Sequence, residues 1–362
     1  MIDIEVRGAP TYYACEEGVL NNLEQLLAAH NLKKCLIIHG EKSWKSIENF
    51  FPQLTISYTH CRYNGECSLS EVDRISSIVK EGEFDSIIGI GGGKALDLAK
   101  AVGNETNKDM ILIPTLASTC AAWTPLSVFY DEYGQFTHYK VFPKSQLLVL
   151  IEPRAILYSE ARYLAAGIAD TLAKWYEADV IIQDPSDHRI VVKVAHSAAK
   201  LCRDVLLKHG IQAVNDLKKQ KLSTSLLKVI ETNIVAGGMV GGFGDRYGRI
   251  AGAHAVHNGL TVSERTHHLL HGEKVAYGIL VQLILEEKWE EIENLISFYQ
   301  ILELPLKLKD LGISQADGDT LMKIANATVA PNESIHLIGK EITATKVLNA
   351  ILKMEDYAGS KL

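Results

Sequence analysis

The sequence predicts a doubly wound parallel α/β sheet over residues 1–155 followed by an all-α domain over residues 156–362. Three observations carry that expectation. Up to about residue 155, short β-branched runs alternate with amphipathic stretches, the pattern of parallel strands and their crossover helices. After Leu147-Leu148-Val149-Leu150-Ile151-Glu152-Pro153 the strand signals mostly stop, and long segments rich in Ala, Leu, Lys and Glu follow, punctuated by Gly167, Gly210, Gly259 and Gly312. A chain of 362 residues that is 47% hydrophobic also holds enough apolar material for two cores.

In chain order, Ile2-Asp3-Ile4-Glu5-Val6 alternates with the strand period, while Val19, Leu23, Leu26 and Leu27 recur at helical spacing. Cys35-Leu36-Ile37-Ile38 is short enough for a buried strand. Leu54 to Tyr58, Ser86 to Ile90 and Met110 to Ile113 read as further strands, separated by amphipathic segments around Val72 to Val79 and Ala95 to Val102. Ile111 to Tyr130 is uncharged for twenty residues, long enough for a membrane helix. Pro114 and Pro125 would break such a helix, and Thr115, Ser118, Thr119 and Thr124 would leave hydroxyls in lipid, so strand, loop, strand is expected instead.

Thirty-seven basic against 44 acidic residues give a formal charge of −7, and no Lys or Arg run tracks a phosphate backbone, so nucleic acid is excluded as a partner. The six cysteines are scattered without a Cys-x-x-Cys pair or a dense framework, which reads as free thiols in a reducing compartment. Acids at Asp3 and Glu5 stand where a signal peptide would be basic, so a cytoplasmic protein, associated with no membrane, is expected.

Ile87-Ile88-Gly89-Ile90-Gly91-Gly92-Gly93-Lys94 is an apolar strand entering a glycine turn and then a helix near Ala95. Without Cβ atoms, such a turn lets a pyrophosphate approach backbone N–H groups at the positive end of the helix, and Lys94 can add charge. A Rossmann-like dinucleotide site follows from this reading; the bland alternative is a tight turn. The spacing satisfies neither the G-x-G-x-x-G fingerprint, since Lys94 stands at the third glycine position, nor the Walker pattern.

His254-Ala255-Val256-His257-Asn258-Gly259 and His267-His268-Leu269-Leu270-His271-Gly272-Glu273-Lys274 place five histidines within 18 residues. Imidazole is the commonest ligand for zinc and similar metals, and a catalytic site needs about three protein ligands with an open position. His267 with His271, and His254 with His257, share helix faces, so spacing alone does not choose among the pairs. His254 and His271 are 17 residues apart and miss a common face on one straight helix, so a break is required, which Asn258-Gly259 can supply. A solvated loop of histidines is the alternative. Asp170, in an apolar stretch where an unpaired charge is unfavourable, is the candidate carboxylate; its alternative is a helix N-cap after Gly167.

Together these motifs resemble those of the glycerol dehydrogenase and iron-containing (group III) alcohol dehydrogenase family, relatives of dehydroquinate synthase, over essentially the whole chain. Gly91-Gly92-Gly93-Lys94-Ala95-Leu96-Asp97 is similar to the family's cofactor turn, and Pro114-Thr115-Leu116-Ala117-Ser118-Thr119 to its cofactor loop. The resemblance implies a dehydroquinate synthase-like fold with a nicotinamide-binding N-terminal domain and a helical, metal-binding C-terminal domain. It further implies Asp170, His254 and His271 as metal ligands, and Thr115, Ser118, Thr119, Thr124, Leu126 and Tyr130 as cofactor-lining positions. Lys174 stands where iron-dependent members have a histidine, so the implied metal is zinc. A homo-oligomer is a family expectation.

Departures from the family bear on the substrate. Where glycerol dehydrogenases have an aspartate for the polyol, this chain has Cys120, with Trp123 adding bulk nearby. Arg246 and Arg249 lie in a segment where the family resembles an acid-bearing one, and arginine's planar fork suits a carboxylate. Together with Lys174-Trp175-Tyr176-Glu177 and Met239-Val240-Gly241-Gly242, these residues are closest to the hydroxycarboxylate dehydrogenase branch. Gly40, at the end of the second sheet strand, stands where NAD-using relatives tend to have an acid; Glu41 can partly replace it, and NADPH is favoured over NADH. The expected activity is metal-dependent reduction of small 2-oxo acids to 2-hydroxy acids by NAD(P)H. The metal acts as a Lewis acid on the carbonyl, His257 lies on the substrate side, and His257, His267 and His268 are candidates for the proton relay. An NAD-dependent glycerol or small-diol dehydrogenase is the alternative; a dehydroquinate synthase-like lyase, a glycerol-1-phosphate dehydrogenase and a non-catalytic metal or nucleotide sensor rank below it.

Overall fold

The computed structural model describes residues 4–248, 250–339 and 341–361. Six strands form one parallel sheet: β1 (Tyr12–Cys15), β2 (Lys34–His39), β3 (Ser57–Arg62), β4 (Ser86–Gly91), β5 (Asp109–Pro114) and β8 (Leu148–Ile151). Between β5 and β8 a two-stranded antiparallel hairpin is formed by β6 (Leu126–Tyr130) and β7 (Phe136–Val141). The expected strand, loop, strand over 111–130 is therefore β5, a loop and β6, while β7 has no apolar run to announce it. Helices α1 (Leu23–Ala29), α2 (Glu41–Ile47), α3 (Leu69–Glu81), α4 (Gly93–Glu105) and α5 (Pro153–Ile156) connect and flank the sheet.

The strand order β1-β8-β5-β4-β2-β3 is that of a doubly wound sheet. The middles of its central strands are apolar because both faces are covered. Cys35, Ile37, Ile88, Ile90, Ile111, Ile113, Leu148 and Leu150 cluster on one face with Leu23, Leu27 and Ile47. On the other, α4 lies so close to β4 that a Cβ at Gly89 would stand 2.5 Å from that of Ala99. The β2 crossover runs through α2 and the β4 crossover through α4, on opposite faces, so the winding reverses between β2 and β4. Gly40 and the Gly91–Gly93 turn sit at the carboxyl ends of those two strands, the position where open α/β sheets bind ligands.

Several expectations are corrected. Residues 1–3 lie outside the described residues and Ile4 to Val6 is irregular, so the first strand is Tyr12–Cys15. The strand expected at 54–58 begins at Ser57; Leu54 joins the core, and the exposed edge strand β3 is held by backbone pairing with β2. The helical region comprises α6 (Ala161–Ile182), α7 (Ile190–Lys218), α8 (Thr224–Glu231), α9 (Gly237–Gly244), α10 (Gly252–Leu260), α11 (His271–Leu285), α12 (Trp289–Ile301), α13 (Gly318–Thr328) and α14 (Ala344–Lys361). Gly167, Gly210 and Gly259 lie inside helices and do not end them. Gly259 is there because α13 approaches closely, a Cβ at this position falling 2.1 Å from Thr328 Oγ1. Gly312, with φ +73°, does occupy the left-handed position that closes a turn.

The chain divides into two compact units. One comprises Arg7–Glu160 with Asp216–Met239; the other comprises Ala161–Asn215 and Val240–Leu362 with the N-terminal residues through Val6. Periodicity places the division at 155/156 and gives no hint that 216–239 belongs with the sheet, because that assignment rests on tertiary contacts. Tyr13 Oη donates to Glu231 at 2.9 Å, and Asn233 Nδ2 donates to the Ala117 carbonyl at 2.7 Å. One helical run, Thr224–Tyr247, is long and apolar enough to cross a membrane by length and composition alone, and most of it is buried.

Candidate metal centre and cofactor loop

In the helical unit, three helices bring together residues far apart in sequence. Asp170 lies mid-helix in α6, which removes the N-cap reading; His254 is on α10, and His271 opens α11. Asp170 Oδ1 is 3.4 Å from His254 Nε2 and 3.2 Å from His271 Nε2. These ligand atoms all lie within 4.8 Å of one another, the spacing of donors around a single cation. Close helix approach makes this possible, because a Cβ at Gly272 would fall 1.9 Å from the Ala166 carbonyl oxygen of α6 and one at Gly278 2.3 Å from that of Ala253.

The break that separates the two histidines follows α10 at Leu260; Asn258 and Gly259 remain helical. His267 and His268 lie on the exposed connection that follows, with His267 Nε2 bonded to the Thr261 carbonyl at 3.0 Å.

Each imidazole that faces Asp170 is oriented by what binds the far side of its ring. Glu177, one to two turns beyond Asp170 on α6 and buried, accepts from His254 Nδ1 at 2.7 Å and from the backbone N–H groups of Ala251 and His254 at 2.7 and 2.9 Å. It therefore caps α10 and orients its histidine at once. On the other side, His271 Nδ1 meets His257 Nε2 at 3.0 Å. A carboxylate oxygen and two imidazole nitrogens thus converge, an arrangement that calls for shared protons or a cation. Burial alone would raise Asp170, but His254 and His271 hold it well below the usual carboxylate range. Burial alone would lower His254, yet Glu177 and Asp170 push it up to about 9. His257 is driven well below its ordinary value by burial and by His271, Lys274 and His254, so its ring is neutral. The site opens toward solvent at His271, whose side chain is 41% exposed.

In the sheet unit, the glycine turn and the 114–119 loop adjoin. Thr115 N donates to the Gly91 carbonyl at 3.0 Å, and a Cβ at Gly93 would touch Thr119 Oγ1 at 3.4 Å. Gly92, Gly93, Lys94, Ser118, Thr119, Cys120 and Thr124 are partly exposed here, as are Leu126 and Tyr130 on the open face of β6; Gly91 and Thr115 are buried beneath them. Lys94 is ion-paired with Glu66 and lies 5.0 Å from the Tyr130 ring centroid.

Asp97 is not presented at this surface. It is buried, paired with Lys100 Nζ at 2.8 Å, and accepts from Val128 N at 3.1 Å. Lys100 also donates to the carbonyls of Ala121, Thr124 and Leu126, so the pair braces the loop from within. Trp123 likewise points inward, bonding the Gly8 carbonyl through Nε1 at 2.8 Å against Gly238. Gly40 caps α2, and the neighbouring Glu41 pairs with Arg62 at 2.9 Å. Arg246 is exposed beside Tyr247, and Arg249 lies outside the described residues.

Glu177, Lys100 and Asn233 escape sequence reasoning. The first two carry a faint signal, a charge at helical spacing from an aspartate in an otherwise apolar helix. Asn233 sits in a π-helical turn, Thr232–Ala236, and has none.

Comparisons with known proteins bear on the fold and the family. The family described as iron-containing alcohol dehydrogenase matches residues 10–151. Hydroxycarboxylate dehydrogenase A of Escherichia coli is 39% identical over 98% of each chain, and the glycerol dehydrogenase of Thermotoga maritima is 36% identical over 96% of each. The crystal structure of glycerol dehydrogenase from Schizosaccharomyces pombe superposes with a TM-score of 0.88 at 30% identity, covering 99% of this chain and 92% of that one. With its doubly wound sheet, helical region and near full-length relatives, this oxidoreductase belongs to the iron-containing alcohol dehydrogenase family.

Proposed function

We propose that the chain is a metal-dependent, NAD(P)H-linked dehydrogenase that reduces small 2-oxo acids to 2-hydroxy acids. Cys120 carries the substrate assignment: the half-exposed loop beside the glycine turn offers an uncharged side chain where the related polyol enzymes are expected to hold a carboxylate, so a substrate carboxylate meets no like charge. The name and identity of the Escherichia coli relative support the same class. Arg246 and Arg249 are proposed to add attraction for that carboxylate.

Asp170, His254 and His271 would hold the metal, and their oxygen and imidazole donors suit zinc. When bound, the cation supplies Lewis-acid polarisation of a carbonyl oxygen and the dinucleotide supplies a hydride. Glu177 orients His254 through its Nδ1, and His257 holds His271 from behind. Gly91, Gly92 and Gly93 give a dinucleotide pyrophosphate access to the start of α4, with Thr115, Ser118, Thr119, Thr124, Leu126 and Tyr130 beside it. Lys94 contributes there once released from Glu66, and Asp97 acts from beneath. NADPH is the proposed reductant, because Gly40 places no acid at the end of β2 and the charge of Glu41 is countered by Arg62. A cytoplasmic homo-oligomer that takes a small-molecule substrate, and neither nucleic acid nor membrane, completes the proposal.

Initial rates of the metal-loaded protein with 2-oxobutyrate and 2-oxoglutarate plus NADPH or NADH, set against glycerol plus NAD and repeated after chelation, test this reading. Chelator-sensitive reduction of a 2-oxo acid with little glycerol turnover is expected. Dominant glycerol oxidation would move the chain to the alternative, polyol-oxidising group, which the Thermotoga maritima relative's name favours.

A further inference from the structure

Behind His271 the hydrogen bonds continue outward in one direction. His257 Nδ1 meets Asn258 Oδ1 at 3.0 Å, and Asn258 Nδ2 faces both carboxylate oxygens of Glu333 at 3.2 and 3.1 Å. A carboxylate only accepts, so Glu333 forces the amide to present its NH2 outward and its oxygen toward His257. That oxygen also only accepts, so His257 carries its proton on Nδ1 and offers a bare Nε2 to His271. His271 must then donate from Nδ1, which leaves its Nε2 lone pair aimed at the position shared with Asp170. An amide does not pass protons along such a chain, so the row of groups acts as an ordering device.

We infer that Glu333, acting through Asn258 and His257, sets the tautomer of His271 and is a positioning residue of the metal centre. The inference rests on the proposal that Asp170, His254 and His271 bind a metal. Glu333 is itself held in place: the adjoining Ser334 Oγ donates to the Ala251 carbonyl at 2.6 Å at the start of α10. Removing the carboxylate frees Asn258 to turn, and the flipped amide would oppose an N–H to His257 Nδ1. The alternative His257 tautomer would then donate to His271 Nδ1 and drive the proton onto the ligating nitrogen.

Zinc affinity of the full-length protein, measured by competition with a chromogenic chelator, tests this without recourse to turnover. Glu333→Met is expected to weaken zinc binding about 10-fold. Glu333→Gln, which keeps an acceptor oxygen for Asn258, should restore most of the loss, and Tm measured alongside should change little in either variant. Parent-like affinity in Glu333→Met overturns the inference. So does an equal loss in both variants, or a loss that follows a fall in Tm. Asp170→Ala separates the two levels: if it binds zinc like the parent, the metal assignment itself fails. If it abolishes binding while Glu333→Met does not weaken it, only the ordering role fails.

Discussion

Asp97 and Asp170 are both enclosed carboxylates, one in each compact unit, and the groups around them differ in kind. At Asp97 the countercharge is built into the chain: Lys100, one turn on, supplies an ammonium whose remaining donors are taken by backbone carbonyls of the 121–126 segment. Burial nevertheless keeps Asp97 above its ordinary range. At Asp170 the charge of Lys174 also acts, but the groups that face the carboxylate oxygen are two imidazole nitrogens, each ring held from behind. A buried acid hydrogen-bonded to a lysine whose other donors hold a loop is thus suited to bracing, whereas a buried acid among oriented imidazoles is suited to a cation.

The largest effect should come from breaking the second arrangement. Asp170→Ala is expected to abolish zinc binding and to lower kcat/KM by about 10³-fold or more, the scale of losing several kcal/mol of Lewis-acid stabilisation. Inductively coupled plasma analysis and steady-state kinetics check it, and retained activity would make Asp170 a brace as well. Next in size, Lys100→Met should leave Asp97 buried without its countercharge and destabilise the fold by about 3–5 kcal/mol in urea unfolding. A variant of parental stability would show that the pair contributes little to the loop.

Smaller effects sharpen the comparison. Glu177→Gln should weaken zinc binding by about 10–100-fold while leaving the secondary structure unchanged by circular dichroism, since the amide can still accept from the α10 backbone but can offer an N–H to His254. Unchanged affinity would mean that the helix cap, not the histidine orientation, is its whole contribution. Gly40→Asp is expected to shift the NADPH to NADH ratio of kcat/KM about tenfold toward NADH by returning an acid to the end of β2. An unmoved ratio would remove Gly40 from cofactor discrimination.

How much of the site is legible in sequence follows from how local each part is. The strand, glycines and helix of Ile87–Lys94 are contiguous, so their chemistry can be read directly. The histidine segment announces itself by composition, but its spacing leaves several pairs open, and the choice of Asp170, His254 and His271 came through family resemblance. The roles of Glu177, Asn233 and Glu333 are hidden in the sequence because each acts on a residue 77, 116 and 75 positions away, respectively. The break at Asn258-Gly259 was misread because local propensity suggested an ending where packing against Thr328 required a small residue within a helix.

By itself the sequence determined the doubly wound sheet, the helical second half and the turn at the carboxyl end of β4. Those features depend on periodicity and on conformational preferences that act over a few residues. Only the tertiary structure decided that 216–239 packs with the sheet unit, that Asp97 supports a loop from within, and which nitrogen of each histidine faces Asp170. Such outcomes depend on directional hydrogen bonds between distant segments, and a ring's tautomer is set by whichever partner the fold places behind it.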